Sequence, residues 1–519
     1  MVQYMDRNTG FAQWNANRNA NSKSPRVATW LWWAVLFVAA WWLIGVFLSP
    51  RTQNVPVTPD ADAIDTSTVP VNEIQNDKIT FDVRGLRISN IKLADFNRTP
   101  NDDTRVSLLG GDNDWAEIGF IANGVVAPSA ATVWKNDGDV MSWRNTSGVE
   151  FRRSITTNDY VISIDDQIIN KSPNDAVLTP YARIVRKNPD TSSTGVATGA
   201  ISYVNGGVER NPWNKLNRKS YAYTTTDGFT GFADQYWETV VSIASPDQTI
   251  KIRRNDEQYT ADVSVAPVVV PAGGVTTVTT RMFTGPRDQG VLNTANAQIH
   301  GLNRTVDYGW FWFLARPMLW VLNMLNSLVM NYGVAIILMT ILLRILIWPL
   351  TRKSYTSMIA MHRMQPEMQR IQKLYANDKM RLQMEMMKLY RTHKTSPMSG
   401  CLPMLLQIPI FFALYKALLI SVPMRNAAFL WISDLSVMDP YFILPILMGI
   451  TMWYQGRQQN SATRDMVTND AMATTNRIMR WMPVFFTLMF AWMPAGLVLY
   501  WTISNVFGIA QMWLLKRKK

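Results

Sequence analysis

The sequence predicts a polytopic α-helical membrane protein with a large all-β sandwich domain outside the bilayer, and three observations carry this. Several apolar runs approach 20 residues, the length an α-helix needs to cross hydrocarbon. Across residues 77–304 the apolar period changes to two, the period of a strand with one face buried. Charge divides along the same line. Residues 49–304 hold 25 Lys and Arg against 29 Asp and Glu, a net of −4, whereas the remainder holds 26 against 9, a net of +17.

A net charge of +13 invites a nucleic-acid reading. Here the cations flank apolar segments, so retention of basic loops on the cytoplasmic side explains them better, and no direct nucleic-acid contact is expected. The lone Cys401 excludes a disulfide framework within the chain. His300, His362 and His393 stand in no metal-ligand spacing with it, so neither a metal nor another cofactor is expected. No P-loop, zinc motif or nucleophile–base–acid set occurs, and an enzyme is not expected.

Taken in order, residues 1–27 are polar and Asn-rich, with Arg7, Arg18, Lys23 and Arg26 against Asp6, as befits a disordered cytoplasmic tail. Residues 28–48 form an apolar run carrying Trp30, Trp32, Trp33, Trp41 and Trp42. No small-residue cleavage site follows before Pro50, so the run reads as a signal anchor rather than a cleaved signal peptide. Residues 49–76, rich in Pro, Asp and Thr, read as a linker. Within 77–304, Tyr160-Val161-Ile162-Ser163-Ile164 and the stretch from Tyr259 to Val265 alternate like half-buried strands. Turn signals recur at Gly110-Gly111, Asn136-Asp137-Gly138, Gly206-Gly207, Asp227-Gly228 and Gly273-Gly274, which points to a sandwich. No pair of carboxylates stands out for sugar chemistry.

Residues 305–330 are apolar enough to pass for a span, but Arg316, Pro317, Asn323 and Asn326 interrupt them. Parity decides the matter: a crossing here would put the basic segment after Leu350 outside, against the charge rule. The stretch therefore reads as an amphipathic helix on the outer surface. Residues 331–350 cross inward. Residues 351–397 carry ten Lys and Arg against three acids and stay in the cytoplasm as a helical hairpin, with arms at 354–374 and 378–393 and Asn377 as the N-cap between them. Met358, Met361, Met364 and Met368, then Met380, Met384 and Met387, fall at helical spacing and are expected to form the hairpin's own seam. Within 398–515 four further crossings are expected, at 401–421, 441–454, 479–492 and 496–515, with a cytoplasmic loop at 455–478 and a basic tail at 516–519. Six crossings leave both termini in the cytoplasm. Two of the runs have 14 residues, about 21 Å of helix against a hydrocarbon core of about 30 Å.

Arg344 stands inside the second crossing, where a cation costs several kcal/mol even on lenient scales. It lies four residues before Trp348, so snorkelling to the interface is one solution. The other is a wet, positively charged recess, and Thr340 one turn earlier supports a polar stripe. None of the five C-terminal crossings contains Asp or Glu, which leaves Arg344 no intramembrane carboxylate and pushes it towards water. Gln407, Thr487, Tyr500, Ser504 and Asn505 are available to line such a recess. The alternative, a polytopic transporter with an outer receptor domain, normally places acids there. Of 29 methionines 25 follow residue 317, and flexible thioethers suit surfaces that accept many sequences.

Val306-Asp307-Tyr308-Gly309-Trp310, Tyr355-Thr356-Ser357-Met358, Gln407-Ile408-Pro409-Ile410-Phe411, Asp439 to Pro445 and Pro494 to Tyr500 resemble motifs of the bacterial YidC membrane protein insertase family, densely from residue 305 onward. Thr226-Asp227-Gly228-Phe229-Thr230-Gly231 resembles the family's periplasmic domain more loosely. The resemblance implies five core helices enclosing a hydrophilic groove closed outward and open to cytoplasm and lipid. It implies a groove arginine at Arg344 with Thr340 beside it, and a substrate-contacting face at Phe411, Met448, Met489 and Trp501. It further implies an inner-membrane insertase and chaperone whose β domain is periplasmic. The implied partners are nascent inner-membrane proteins, the lipid bilayer, the Sec translocon and a ribosome met by the cytoplasmic loops and tail. Two features depart from the family pattern: the polar stretch before the first apolar run, and a short basic tail.

Overall fold

The computed structural model describes residues 64–100, 102–110, 114–187, 189, 198–393, 402–460 and 481–517. The expected tail at 1–27, the anchor at 28–48, most of the linker and most of the loop at 455–478 lie outside the described residues.

Two antiparallel sheets make the sandwich. One runs from the edge strand Asn72–Gln75 through Ile79–Arg84, Arg87–Asn97, Trp115–Asn123, Ala176–Lys187, Gln258–Ser264 and Gln248–Asn255 to Tyr221–Thr225. The other runs from Gly207–Pro212 through Gly199–Val204, Phe229–Ala233, Trp237–Ile243, Val275–Pro286, Val161–Asn170, Val149–Asn158 and Val140–Arg144 to Lys135–Asp137. Between them lies one apolar core that includes Phe81, Phe151, Phe229, Phe232 and Phe283. The alternation expected from Tyr160 holds from Ile162 to Asn170, whereas Tyr160 and Val161 are both buried as well. The strand Gln258–Ser264 instead is buried on both faces. Its polar face is covered because Asp262 is taken into ion pairs with Arg183 at 2.8 Å and Arg253 at 3.1 Å. The expected linker also ends early, since Asn72–Gln75 is already paired with Ile79–Arg84. With Ile74 as its one apolar residue, this edge strand carries no period for a sequence pattern to detect.

The helices are α1 (Trp213–Leu216), α2 (Gln289–Ala295), α3 (Trp312–Val329), α4 (Tyr332–Leu346), α5 (Trp348–Arg363), α6 (Gln365–Leu374), α7 (Lys379–Thr392), α8 (Leu402–Ile420), α9 (Ile443–Asn460), α10 (Trp481–Phe490) and α11 (Ala495–Arg517). Helix α3 buries Ala315, Met318 and Leu322 and exposes Trp312, Phe313, Trp320 and Leu328, so apolar side chains lie on both its buried and its exposed sides. By length and apolarity, 495–515 qualifies as a straight membrane span and α4 with α5 as a span bent by 62°. Helices α4, α8, α9, α10 and α11 all leave large apolar side chains exposed, among them Leu346, Phe412, Ile450, Phe485 and Trp513, as lipid-facing surfaces do.

Three helix boundaries differ from expectation. Helix α9 has 18 residues, about 27 Å, where the apolar run has 14. It continues through Gln455, Arg457 and Gln458, where hydropathy stops, and the Arg457 guanidinium lies over the Trp453 ring at 4.3 Å. Helix α5 starts at Trp348 rather than 354, while the break within the first arm falls where Pro366 implies a kink or a helix start: α6 begins after Met364 with Pro366 in its first turn. The cap of α7 is Asp378 rather than Asn377, its side chain accepting from the Arg381 N–H at 3.0 Å.

The methionines also divide. Met364 and Met368 meet Met386, Leu389 and Tyr390 in the α6–α7 seam. Met380, Met384 and Met387 lie outside it and are exposed. The side chains of Met358 and Met361 lie outside the described residues.

The sandwich is docked onto the outer ends of the helices. Gln235 donates to the Leu419 carbonyl at 3.0 Å, Arg425 donates to the carbonyls of Asn97 (2.7 Å) and Arg98, and Val422 packs into the sandwich core.

Candidate functional site

The site is built from the last turn of α4 and one face of α11. Helix α4 is capped by Asn331, whose side chain accepts from the Val334 N–H at 3.1 Å. It ends at Ile347 because Pro349, lacking an N–H, cannot continue the ladder, and the chain turns by 62° into α5. Arg344 therefore sits at a helix C-terminus, where unpaired carbonyls favour a cation. Its side chain is only 8% exposed. Its Nε donates to Ser504 Oγ at 2.9 Å, and a terminal guanidinium nitrogen donates to the same oxygen. Among the described residues no carboxylate lies within 4.0 Å of it.

Ser504 belongs to a polar stripe on α11. Tyr500, Ser504, Gly508 and Gln511, spaced four, four and three apart, share one buried face. Gln407 of α8 donates to the Tyr500 hydroxyl at 2.6 Å. At Gly508 the backbone is approached closely: a Cβ there would lie 2.9 Å from Gln455 Nε2 and 3.5 Å from Tyr355 Oη. Gln511 is buried, and its Oε1 has no hydrogen-bond partner among the described residues. The stripe thus bonds to α4 and α8, and at Gly508 polar side chains of α5 and α9 approach the α11 backbone.

Ser504 bonds Arg344 directly, and Gln407 bonds Tyr500 one turn before Ser504 on α11. Thr340 does not join them as a donor. It is fully buried on the same helix, but its hydroxyl donates to the Ile336 carbonyl one turn back at 2.6 Å. Asn505 points elsewhere, its amide reaching Thr451 Oγ1 at 3.2 Å across the α9–α11 contact, because it lies 100° around the helix from Ser504. Thr487 donates to the Pro483 carbonyl of its own helix at 2.8 Å.

Of the four residues of the apolar face, Phe411 and Trp501 meet edge to face with ring centroids 5.3 Å apart, and Met489 is half-buried against the same helical core. Met448 is fully buried in the helical core and presents no surface in this arrangement. Its backbone faces Asn505, and the close α9–α11 packing covers it. Phe486 and Phe490 complete the aromatic cluster, with centroids 6.2 and 5.2 Å from Trp501. Sequence reasoning missed these two, together with Tyr355 and Gln455. The legible signals were the Phe485-Phe486 pair and a glycine inside the apolar run of α11.

A family model described as the 60Kd inner membrane protein matches residues 324–519, and one described as the YidC periplasmic domain matches 72–321. The membrane protein insertase YidC of Magnetococcus marinus is 36% identical over 428 residues, 78% of this chain and 75% of that protein. The chain belongs to the YidC family. A second YidC insertase, from Bradyrhizobium diazoefficiens, is 33% identical over 505 residues, 85% of this chain and 80% of that protein. The two YidC models divide the chain inside α3. Among solved structures, a galactose mutarotase-like protein from Lactobacillus casei is similar over 42% of this chain and all of that one, at 10% identity and a TM-score of 0.30, too distant to carry a functional argument.

Proposed function

We propose that this chain is an inner-membrane insertase and chaperone, acting alone or with the Sec translocon, and that the Arg344 recess receives a short hydrophilic segment of a client while apolar segments pass into lipid. The topology that goes with this has six crossings, both termini and residues 351–397 in the cytoplasm, and the sandwich in the periplasm. Phe411, Met489 and Trp501, with Phe486, form the apolar side along which a client helix leaves, and the buried Phe490 backs it. The partners are nascent inner-membrane proteins and the bilayer, with a ribosome approached by the basic cytoplasmic loops.

One observation carries the reading: a guanidinium held in the last turn of an apolar helix, with a neutral serine hydroxyl as its acceptor and no carboxylate beside it among the described residues. Its charge is available to an acidic group of a passing segment. An arginine–carboxylate pair at about 4 Å gains about 1 kcal/mol in water and about 4 kcal/mol at an effective dielectric of about 20. A weak pull of that size suits a site that must also let the segment go.

The test is an insertion assay on one client whose translocated tail carries either Asp or Asn. Arg344→Ala is expected to impair the Asp client more than the Asn client, Arg344→Glu to be worst for the Asp client, and Arg344→Lys to retain much of the activity. Equal losses for both tails would remove the attraction, and tolerance of alanine with both would return Arg344 to a snorkelling role.

A further inference from the structure

Helix α7 leaves an apolar stripe uncovered. Met380, Met384 and Met387 are 77%, 61% and 51% exposed, although Met386, Leu389 and Tyr390 of the same helix are packed into the seam with α6. At 100° per residue the three methionines and Arg391 fall within an arc of about 60°, and Lys388 and Arg381 follow on its flank. Glu385 is the one acid of α7 and is turned away from the stripe, beside Lys388 at 3.8 Å. The result is a methionine ridge bordered by cations on a segment of net charge +7.

Charge selects the occupant. By the positive-inside rule, the flanks of apolar client segments that remain in the cytoplasm are themselves basic, so a cationic ridge repels them. A second copy of the same ridge is repelled for the same reason. The cytoplasmic leaflet offers the complement, anionic headgroups over an apolar interior. A helix with cations beside an apolar stripe is the form that lies in such an interface, its stripe among the acyl chains and its lysines and arginines at the phosphates. Reach permits it: nine residues separate Thr392 from Leu402, where α8 begins, so the basic end of α7 is tethered within about 35 Å of a helix that enters the bilayer.

We propose that α7 docks on the anionic lipid surface of the cytoplasmic leaflet, inserting Met380, Met384 and Met387 while Arg381, Lys388 and Arg391 hold lipid phosphates. The hairpin tip is then held against the membrane beside the cytoplasmic opening of the recess. This rests on the cytoplasmic placement of residues 351–397, which impermeant labelling of Lys373→Cys tests separately.

The experiment uses the full chain with Cys401→Ser and Met384→Cys, the new thiol carrying an environment-sensitive fluorophore, in nanodiscs of phosphatidylcholine with or without phosphatidylglycerol. Blue-shifted emission and quenching by brominated acyl chains are expected in the anionic discs. The docked fraction should fall on the order of tenfold or more in neutral discs or when Arg381, Lys388 and Arg391 are all changed to Glu. Met380→Ser with Met387→Ser, which leaves every charge in place, is expected to lose the quenching as well. Equal emission in both lipids would overturn the proposal. So would a shift that survives the charge reversal, appears only when an apolar client peptide is added, or grows with protein concentration.

Discussion

Nε of Arg344 on α4 donates to the hydroxyl of Ser504 on α11, 160 residues away in sequence and 2.9 Å away in space. The bond fixes the guanidinium without cancelling its charge, because serine is neutral. A hydrogen bond to a charged group is worth about 1.5–3 kcal/mol. Ser504→Ala is expected to destabilise the helical region by about that much, read as detergent-solubilised thermal or denaturant unfolding. In an Arg344→Ala background the same change should cost little, since the donor is already gone. Equal costs in both backgrounds would show that Ser504 matters for packing alone.

That pairing was half legible in the sequence. A cation in an apolar run with no intramembrane acid states the problem, and Gln407, Tyr500 and Ser504 on other helices state the means. What the pattern could not supply was rotation about each helix axis. Ser504 and Asn505 are neighbours in sequence, yet one faces Arg344 and the other Thr451. Apolar runs at crowded helix contacts also conceal which residue is covered, so Met448 reads like Met489 although it is fully buried. The sandwich was legible through its period and turns. Its polar-rich edge strand Asn72–Gln75 and the doubly covered strand at Asp262 were not, because both break the apolar–polar alternation on which the reading depends. In α9 the apolar run ended at Tyr454, but backbone hydrogen bonding carries the helix on through polar residues.

A second prediction concerns the outer end of α4. A Cβ on Gly333 would lie 2.1 Å from Phe429 Cδ2 and 2.2 Å from its Cγ. A ring bonded to the loop backbone cannot swing aside as a lysine tip can, so the outer loop must move. Gly333→Ala is expected to cost about 1–3 kcal/mol, the usual range for overpacking. Hydrogen exchange should rise around residues 425–435, where the same loop docks on the sandwich through Arg425. Unchanged exchange there would mean that the ring has room to relocate.

The proposed topology makes a third prediction. With Cys401→Ser as background, Ser327→Cys on α3 and Lys373→Cys on α6 occupy exposed positions. An impermeant thiol reagent is expected to label Ser327→Cys from the periplasmic side of spheroplasts, and Lys373→Cys only after the membrane is opened. Labelling of both from the same side would overturn the parity argument that laid α3 on the surface.

A fourth prediction concerns pH and the segment that leads from the sandwich into α3. Glu238 is completely buried. Its Oε1 accepts from the Thr305 hydroxyl at 2.9 Å, and the Thr305 carbonyl accepts from Arg287 at 2.7 Å and from Arg210 at 3.0 Å. Arg287 Nε also stands 3.2 Å from Glu238 Oε2, but neither atom finds hydrogen-bond geometry, so the pairing is incomplete. Burial accordingly outweighs the pull of Arg287 and Arg210 and pushes the carboxyl from an ordinary 4.5 up to about 7. The sign follows from the raised value: the folded state holds this proton more tightly than the unfolded chain does. The stability it contributes is complete below pH 4.5 and is lost as pH rises through about 7, a swing of about 3 kcal/mol. Glu238→Gln keeps a neutral group, with an oxygen for Thr305, at every pH. It is expected to match the unmodified chain near about pH 4.5 and to be the more stable of the two above about pH 8, because only the unmodified chain must then bury a carboxylate. Unfolding midpoints at the two pH values measure this, and hydrogen exchange over residues 302–309 should follow them. A constant offset between the two proteins at both pH values would mean that Arg287 and Arg210 hold Glu238 ionised throughout.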